Sequence, residues 1–100
     1  MLVIAGIIKV KPESRAEAVR AAVKMATATH AEPGCTTYRF SADLEDPNTI
    51  YIFEEWESDE ALMQHFQSPH MAEFNAAIPR FLAAPPSIDR FDVSGKVKMM

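Results

Sequence analysis

The opening residues of the chain carry apolar side chains at both odd and even positions. Residues 2–10 read Leu-Val-Ile-Ala-Gly-Ile-Ile-Lys-Val, so a strand formed there has Val or Ile on each face. A strand of this kind is typically buried on both faces of its sheet. The pattern therefore predicts a sheet that is covered on both sides, by helices on one face and by another apolar layer on the other.

Apolar residues take up helical spacing after Lys11-Pro12, where a proline near the first turn is typical of a helix start. The positions that recur at this spacing are Ala16, Val19, Ala22, Val23, Ala26 and His30. A stripe made mostly of alanine lets a helix lie close to a sheet. His30 falls in the last turn, where the helix dipole favours a cation, and is interpreted as a capping residue.

Two further strands are predicted on either side of a turn at Asp46-Pro47-Asn48. Residues 35–43 alternate before the turn and residues 50–57 after it, which together make a hairpin. In the strand predicted over residues 50–57, the side chains that share one face are Ile50, Ile52, Glu54 and Trp56. Glu54 is therefore a carboxylate on an apolar face, and it has to be paired, protonated or beside a wet pocket. Arg39, on the neighbouring strand, is its predicted partner.

Two helical segments follow, with a break between them. Ser58 suits the N-cap of the first, which carries His65. Ser68-Pro69 suits the N-cap and first helical position of the second. The apolar stripe of the second segment consists of Met71, Phe74, Ile78, Phe81 and Leu82, and Pro79 interrupts it. Asn75 lies in the middle of this stripe and is expected to point at the apolar layer. Residues 87–95 are predicted to form the last strand.

The predicted order of elements is β-α-β-β-α-β, the split arrangement of ferredoxin-like α+β domains. Residues 1–100 are expected to form one such domain, in which helices cover a single face of an antiparallel sheet. Because the second face is apolar too, we expect a homodimer in which two sheets pack against each other and close a barrel-like core.

Composition narrows the classes of partner and location. Apolar residues make up 48% of the chain, which favours a packed core over disorder. The net charge is −4 and the ten Lys and Arg form no run, which argues against nucleic acid and against an anionic membrane surface. A single cysteine, Cys35, leaves no intrachain disulfide and fits a cytoplasmic location. The apolar start is too short to span a bilayer and lacks the basic residues of a signal peptide.

The segment around the only tryptophan, Trp56, holds the candidate chemistry, since two of the three histidines follow it closely. His65 belongs to the residue type whose ordinary pKa is about 6.5, so it could move a proton near neutral pH. His70 lies in the first turn of a helix, whose positive end favours a neutral imidazole. For both histidines the residues alone leave a structural and a functional role equally open. Trp56 suits either the core or the wall of a pocket.

The common cofactor motifs are absent from the sequence. The three glycines are isolated, so there is no phosphate-binding loop, and neither an HExxH motif nor paired cysteines occur. His65 and His70 are five residues apart with Pro69 between them, so they are no ligand pair on one helical turn, although they could meet around the break. We therefore predict neither a metal nor a cofactor. Cys35 is interpreted as a small buried side chain.

Several runs together resemble the antibiotic biosynthesis monooxygenase (ABM) family, in particular its small quinol-monooxygenase-like branch. The resemblance covers residues 2 to about 83 and rests on Glu32-Pro33-Gly34-Cys35, Tyr38, Asp46-Pro47-Asn48, Glu54-x-Trp56-x-Ser58, Ala61-Leu62, His65 and Ser68-Pro69-His70. It implies a ferredoxin-like fold, a homodimer with a barrel-like centre, and a pocket between sheet and helices in each subunit. It also implies oxidation of phenolic or quinol-type substrates by O₂ without metal, flavin or haem.

The resemblance also assigns roles to residues of this chain. His65 or His70 would be the base or hydrogen-bond partner of the substrate, and Trp56 the wall of the pocket. The residues expected on the substrate side are Glu54, Arg39, Tyr38 and Asn75. A base in a dry cavity would make an electron-rich anion that passes an electron to O₂ directly, which is why no cofactor is needed.

Departures from related branches keep other functions open. The branch that acts on polyketide anthrones has Asn where this chain has Ile52, and the haem-degrading branch has Trp near His65 and His near Asn75. An isomerase of a phosphorylated quorum-sensing sugar shares the two histidines, but it calls for a basic pocket that the sequence does not locate. A small-ligand-binding dimer without catalysis is the third possibility, since this fold hosts several functions.

Overall fold

The computed structural model describes residues 1–100, which follow the predicted order of elements. The strands are β1 (Leu2–Lys9), β2 (Cys35–Ala42), β3 (Thr49–Trp56) and β4 (Ser87–Asp92), and the helices are α1 (Arg15–Thr29), α2 (Asp59–Phe66) and α3 (Pro69–Ala77). Two 3₁₀ turns, Pro12–Ser14 and Ile78–Arg80, precede α1 and follow α3. The second turn contains Pro79, so the predicted interruption of the last helix is confirmed.

All four strands belong to one antiparallel sheet in the order β2-β3-β1-β4. β1 has an inner position, where Leu2 lies opposite Trp56 of β3 and Asp92 of β4. A bulge between Cys35 and Thr37 shifts the register at the start of β2. This strand order with two helical connections on one side is the ferredoxin-like arrangement, so the predicted α+β fold is confirmed.

The three helices cover one face of the sheet and enclose the core. Its larger cluster consists of Leu2, Ile4, Met25, Tyr38, Ile52, Trp56, Ala61 and Leu62. A second cluster consists of Ile8, Val10, Ala18, Ile50 and Phe81. Trp56 is fully buried. An aromatic side chain of this size removes ~200 Å² from water, which stabilises the fold by roughly 5 kcal/mol.

The buried stripe of α1 differs from the predicted one. Its buried residues are Ala18, Ala22, Met25 and Thr29, whereas Val23 is 60% exposed. Of the predicted stripe only Ala22 is fully buried, so the prediction was wrong about which face of the helix meets the sheet. Thr29 can be buried because its hydroxyl donates to the Met25 carbonyl at 2.7 Å. No helix of the chain combines the length and the hydropathy needed to cross a bilayer.

The other face of the sheet carries apolar side chains beside the charged Arg39, Glu55 and Asp89, and it lacks a cover in the single chain. Alternation and register place Val3, Ala5, Ile7, Tyr51, Phe53 and Phe91 on this open face. Phe53 is 43% and Phe91 51% exposed. The prediction that the strands carry apolar side chains on both faces is therefore confirmed. We call this surface the open face.

The turn before β2 depends on a glycine. Gly34 has φ = 81°, and a Cβ at this position would lie 2.6 Å from the Ala61 Cβ of α2. We expect Gly34→Ala to lower the free energy of unfolding by about 2 kcal/mol, because it combines left-handed backbone strain with a steric clash. Urea denaturation measures this change.

Gly95→Ala is the matched control, since a Cβ there meets no atom within 4 Å. We expect it to change the free energy of unfolding by less than about 0.5 kcal/mol. Equal stabilities of the two variants would contradict the role given to Gly34.

Candidate active site

The break between α2 and α3 brings His65 and His70 together, which the sequence analysis gave as a possibility. The Ser68 hydroxyl donates to the His65 carbonyl at 2.7 Å and accepts from the Met71 backbone N–H at 3.2 Å. This N-cap joins the end of one helix to the start of the next and turns the chain between them. The two imidazole centroids are 5.9 Å apart.

Glu32, in the turn between α1 and β2, connects the two rings. Its Oε2 lies 2.7 Å from His65 Nδ1 and 2.7 Å from His70 Nε2. An ionised carboxylate only accepts hydrogen bonds, so both of these nitrogens carry the proton. In a neutral ring the opposite nitrogen then holds a lone pair, namely His65 Nε2 and His70 Nδ1. One carboxylate thus fixes the tautomer and orientation of two imidazoles.

The two histidines have different access to solvent. The His65 side chain is 1% exposed, and its ring packs 4.8 Å from the Trp56 ring and 5.5 Å from the Tyr38 ring, centroid to centroid. The His70 side chain is 20% exposed. His70 is therefore the member of the pair that a ligand can reach, and His65 lies behind it in the core.

Glu54 lies in the same core and pairs with the indole. Trp56 Nε1 donates to Glu54 Oε1 at 2.8 Å. Burial raises the pKa of Glu54 to about 7, the indole hydrogen bond lowers it in part, and the charge of Glu32 raises it further. The predicted partner, Arg39, is wrong. Arg39 is exposed and lies opposite Phe53, on the open face, while Glu54 points to the helices.

Tyr38 and Cys35 complete the surroundings of Glu54. Tyr38 lies directly opposite Glu54 in the sheet and is 2% exposed. Burial, followed by the charge of Glu54, raises the pKa of the Tyr38 hydroxyl above its ordinary value. Burial, with Glu32 and Glu54 nearby, raises the pKa of the Cys35 thiol to about 11. Cys35 is thus a thiol at neutral pH, in accord with its interpretation as a small packing residue.

Three hollows lie around α1. The α1 groove, of about 220 Å³, lies between α1 and β2 and is mainly apolar, with Arg15 and Ser41 among its lining residues. The His70 cleft, of about 50 Å³, is lined in part by Met25, His70 and Phe74. An inner hollow of about 20 Å³ shares Phe74 with the cleft and Ala22, Phe40 and Ile50 with the groove. We call these three neighbouring hollows, which share apolar lining residues, the seam beneath the helix.

The seam does not reach every residue that the sequence assigned to a pocket. Trp56 and His65 line none of the three hollows, so the expected role of Trp56 as the wall of a substrate pocket stays a prediction. Asn75 is exposed on α3, so its expected position in the apolar layer is wrong. Glu32 was missed as a partner of the histidines. The signal for it was its place before Pro33-Gly34, in a turn that α2 packs against.

The family to which the chain belongs follows from its sequence. The sequence model of the family described as antibiotic biosynthesis monooxygenase (ABM) matches residues 1–77. The chain belongs to this family, and the resemblance stated above is confirmed.

Two curated relatives cover most of the chain. An uncharacterised protein of Synechocystis sp. is 36% identical over 93 residues, which is 93% of this chain and 63% of that protein. The Bacillus subtilis protein named "Putative monooxygenase YcnE" is 31% identical over 94 residues, which is 94% of this chain and 99% of that protein. The chain thus spans less than two thirds of the first relative and nearly all of the second.

Solved structures share the fold. The structure of Rv0793 from Mycobacterium tuberculosis has a TM-score of 0.89 at 23% identity and covers 97% of this chain and 98% of its own. A conserved protein from Methanosarcina mazei Go1 has a TM-score of 0.85 at 27% identity, covering 90% of this chain and 89% of its own.

The arrangement supports proton transfer more directly than nucleophilic attack. His70 lines the His70 cleft, and the Glu32 carboxylate beside its Nε2 would stabilise an imidazolium formed there. His65 is hydrogen-bonded to the same Glu32 carboxylate. The three donor atoms of Glu32, His65 and His70 also lie within 4.8 Å of one another, a spacing that one metal ion could bridge.

The raised pKa of Glu54 gives a prediction for stability. The folded-state pKa of about 7 exceeds the ordinary value of 4.5, so the folded state holds a proton that the unfolded chain releases between these pH values. Stability therefore falls as pH rises through this window. Relative to Glu54→Gln, which cannot ionise, we expect the parent chain to lose about 3 kcal/mol between acid and slightly alkaline pH. Urea denaturation across this range measures the difference.

Glu55→Gln is the control with the opposite sign. A hydrogen bond from Thr37 lowers the pKa of Glu55, so its carboxylate stabilises the fold as pH rises and loses this effect as pH falls. The other side chains of the core are the same in the parent and in each variant, so the difference between two stability curves reports the substituted residue. Parallel stability curves for the parent and Glu54→Gln would contradict the buried, protonated state of Glu54.

Proposed function

We propose that this protein is a cofactor-independent monooxygenase or quinol oxidase that acts on a small aromatic hydroxyl compound with O₂. Membership of the ABM family and the monooxygenase name of the Bacillus relative support an oxidation. The observation that carries the proposal is the single Glu32 carboxylate that fixes two imidazoles, one of them at the edge of an apolar seam.

The first step is removal of the phenolic proton. The hydroxyl lies at His70, and the ring enters the seam past Phe74, which has to move because the cleft and the inner hollow are smaller than one aromatic ring. A cavity of about 150 Å³ holds benzene, and the α1 groove at about 220 Å³ has space for a larger substrate.

The second step moves electrons to O₂. The phenolate gives one electron to O₂, which yields an aryloxyl radical and superoxide in an apolar site. For a hydroquinone, transfer of a second electron and two protons in total yields the quinone and H₂O₂. For a substrate with an activated CH₂, the radical pair combines to a hydroperoxide, which loses water to leave C=O. In both cases O₂ is the only oxidant, and no cofactor is needed.

The proposed assembly is a homodimer through the open face. The six apolar side chains of this face would otherwise remain in water, and contiguous patches of this kind mark interaction surfaces. Two copies of an antiparallel sheet that pack face to face bury both patches in a twofold-symmetric interface. The barrel-like core expected from the sequence belongs to this proposal.

The isomerase alternative has less support. A phosphorylated substrate needs a free cation beside the histidines, and Lys24 is the basic residue of the His70 cleft. Its Nζ lies 2.6 Å from Glu73 Oε1, so its charge already has a partner. Arg15, in the α1 groove, donates through Nε to the Pro47 carbonyl at 2.7 Å. No observation on the site favours phosphate over an aromatic hydroxyl compound.

Oxygen uptake with a panel of hydroquinones tests the reaction. We expect chelator-treated protein to consume O₂ above the rate without enzyme, and His70→Gln to lower this rate by about 100-fold or more, because it removes the base. His30→Gln is the matched control. His30 Nε2 donates to the Tyr38 carbonyl at 2.7 Å, away from the His70 cleft, and we expect its substitution to leave the rate within about twofold. Absence of uptake above background for every hydroquinone would remove this function.

A charge on the open face tests the dimer. We expect Phe53→Glu to convert the protein to a monomer in light-scattering measurements, because two carboxylates would face each other in an apolar interface. Met63→Glu adds the same charge to α2, where Met63 is 54% exposed, and should leave the dimer intact. A parent chain that is monomeric at micromolar concentration would contradict the proposed assembly.

A further inference from the structure

We propose that Glu32, His65 and His70 form a binding site for one divalent transition-metal ion, with Zn²⁺ as the probe. The donor atoms are Glu32 Oε2, His65 Nδ1 and His70 Nε2, and all lie within 4.8 Å of one another. Two imidazoles and one carboxylate are a ligand set that zinc takes in proteins, with water in the fourth position. The proposed oxidation does not require this ion, although the ion would use the same three side chains.

The distances are close to those of a coordinated ion. Each imidazole nitrogen is now 2.7 Å from the carboxylate oxygen. Bonds of about 2.1 Å at tetrahedral angles place donor atoms roughly 3.4 Å apart. Each imidazole nitrogen therefore has to withdraw from the carboxylate oxygen by less than an ångström. The two nitrogens, which lie within 4.8 Å of each other, have to approach to the same spacing of about 3.4 Å. The proton on the coordinating nitrogen moves to the other nitrogen of a neutral ring, or is released from a charged one.

The charge of Glu32 also favours a cation. The Glu32 side chain is 14% exposed, and its ion-pair partners are the two imidazoles, with no Lys or Arg among them. A partly buried carboxylate without a permanently charged partner is costly to desolvate. A divalent ion offsets this cost and keeps both imidazoles in place as ligands.

The three ligands come from three different parts of the fold. Glu32 lies in the turn before β2, His65 in the last turn of α2, and His70 in the first turn of α3. The Ser68 cap holds the two helices together, and Trp56 packs on the His65 ring. The partly exposed His70 leaves a path for the ion and its water. An ion bound here joins the three segments and stabilises the folded state.

The donor set predicts selectivity. Imidazole nitrogens suit Zn²⁺, Cu²⁺ and Ni²⁺, whereas Mg²⁺ and Ca²⁺ take oxygen ligands. A site with two nitrogen donors and one carboxylate oxygen should therefore bind Zn²⁺ and discriminate against Mg²⁺.

Calorimetric titration of the tag-free, chelator-treated full chain tests the proposal, with thermal unfolding as a second measurement. We expect Zn²⁺ to saturate at one ion per chain near neutral pH and to raise Tm, and Mg²⁺ to do neither. Glu32→Gln and His70→Gln should each weaken Zn²⁺ binding by roughly 100-fold and abolish the rise in Tm, because each removes a ligand. His30→Gln, which removes the histidine outside the site, should bind as the parent does.

Both site variants change residues that are partly exposed, and circular dichroism checks that they remain folded. The proposal is overturned if the parent shows no saturable binding at one ion per chain. It is overturned equally if Zn²⁺ affinity is unchanged in both site variants, or if His30→Gln loses it. None of these measurements uses oxygen uptake, so their outcome is independent of the proposed oxidation.

Discussion

The shared hydrogen bonds of Glu32 to His65 and His70 are the interaction around which the site is built. A carboxylate that accepts from two imidazoles at 2.7 Å each fixes both tautomers and links the turn before β2 to α2 and α3. The N-cap at Ser68 is the local condition for this contact, because it brings residues five apart in sequence to one side of a helix break. Proton transfer and metal binding are two uses of the same three donor atoms.

Buried polar side chains in the core pack next to the Glu32–histidine contact and hold it in place. His65 and Glu54 lie in the core beside Trp56, and the indole N–H gives Glu54 its hydrogen bond. Every buried side-chain nitrogen and oxygen has a hydrogen-bond partner, so the polar cluster is a satisfied part of the fold. Trp56 lies in the core, where its ring packs on the His65 ring.

The two faces of the sheet have different roles. The helix-covered face carries the core, the polar cluster and the seam beneath α1, whereas the open face carries apolar side chains such as Phe53 and Phe91. α1 can leave a seam because its buried stripe contains the small residues Ala18 and Ala22. The proposed dimer would cover the open face without closing the His70 cleft, which lies on the helix side.

The order of elements, the strand faces and the helix break could be predicted from the residues alone, because alternation, helical spacing and capping residues act over a few positions. The position of Glu54 on the face of Trp56 could be predicted in the same way. Which side chains meet depends on the folded chain: Glu54 pairs with Trp56 instead of Arg39, Asn75 points to solvent, and Glu32 joins the two histidines. These contacts depend on strand register and on helix rotation about its axis. A shift of one residue reverses the direction of a side chain in a strand and turns it by about 100° around a helix.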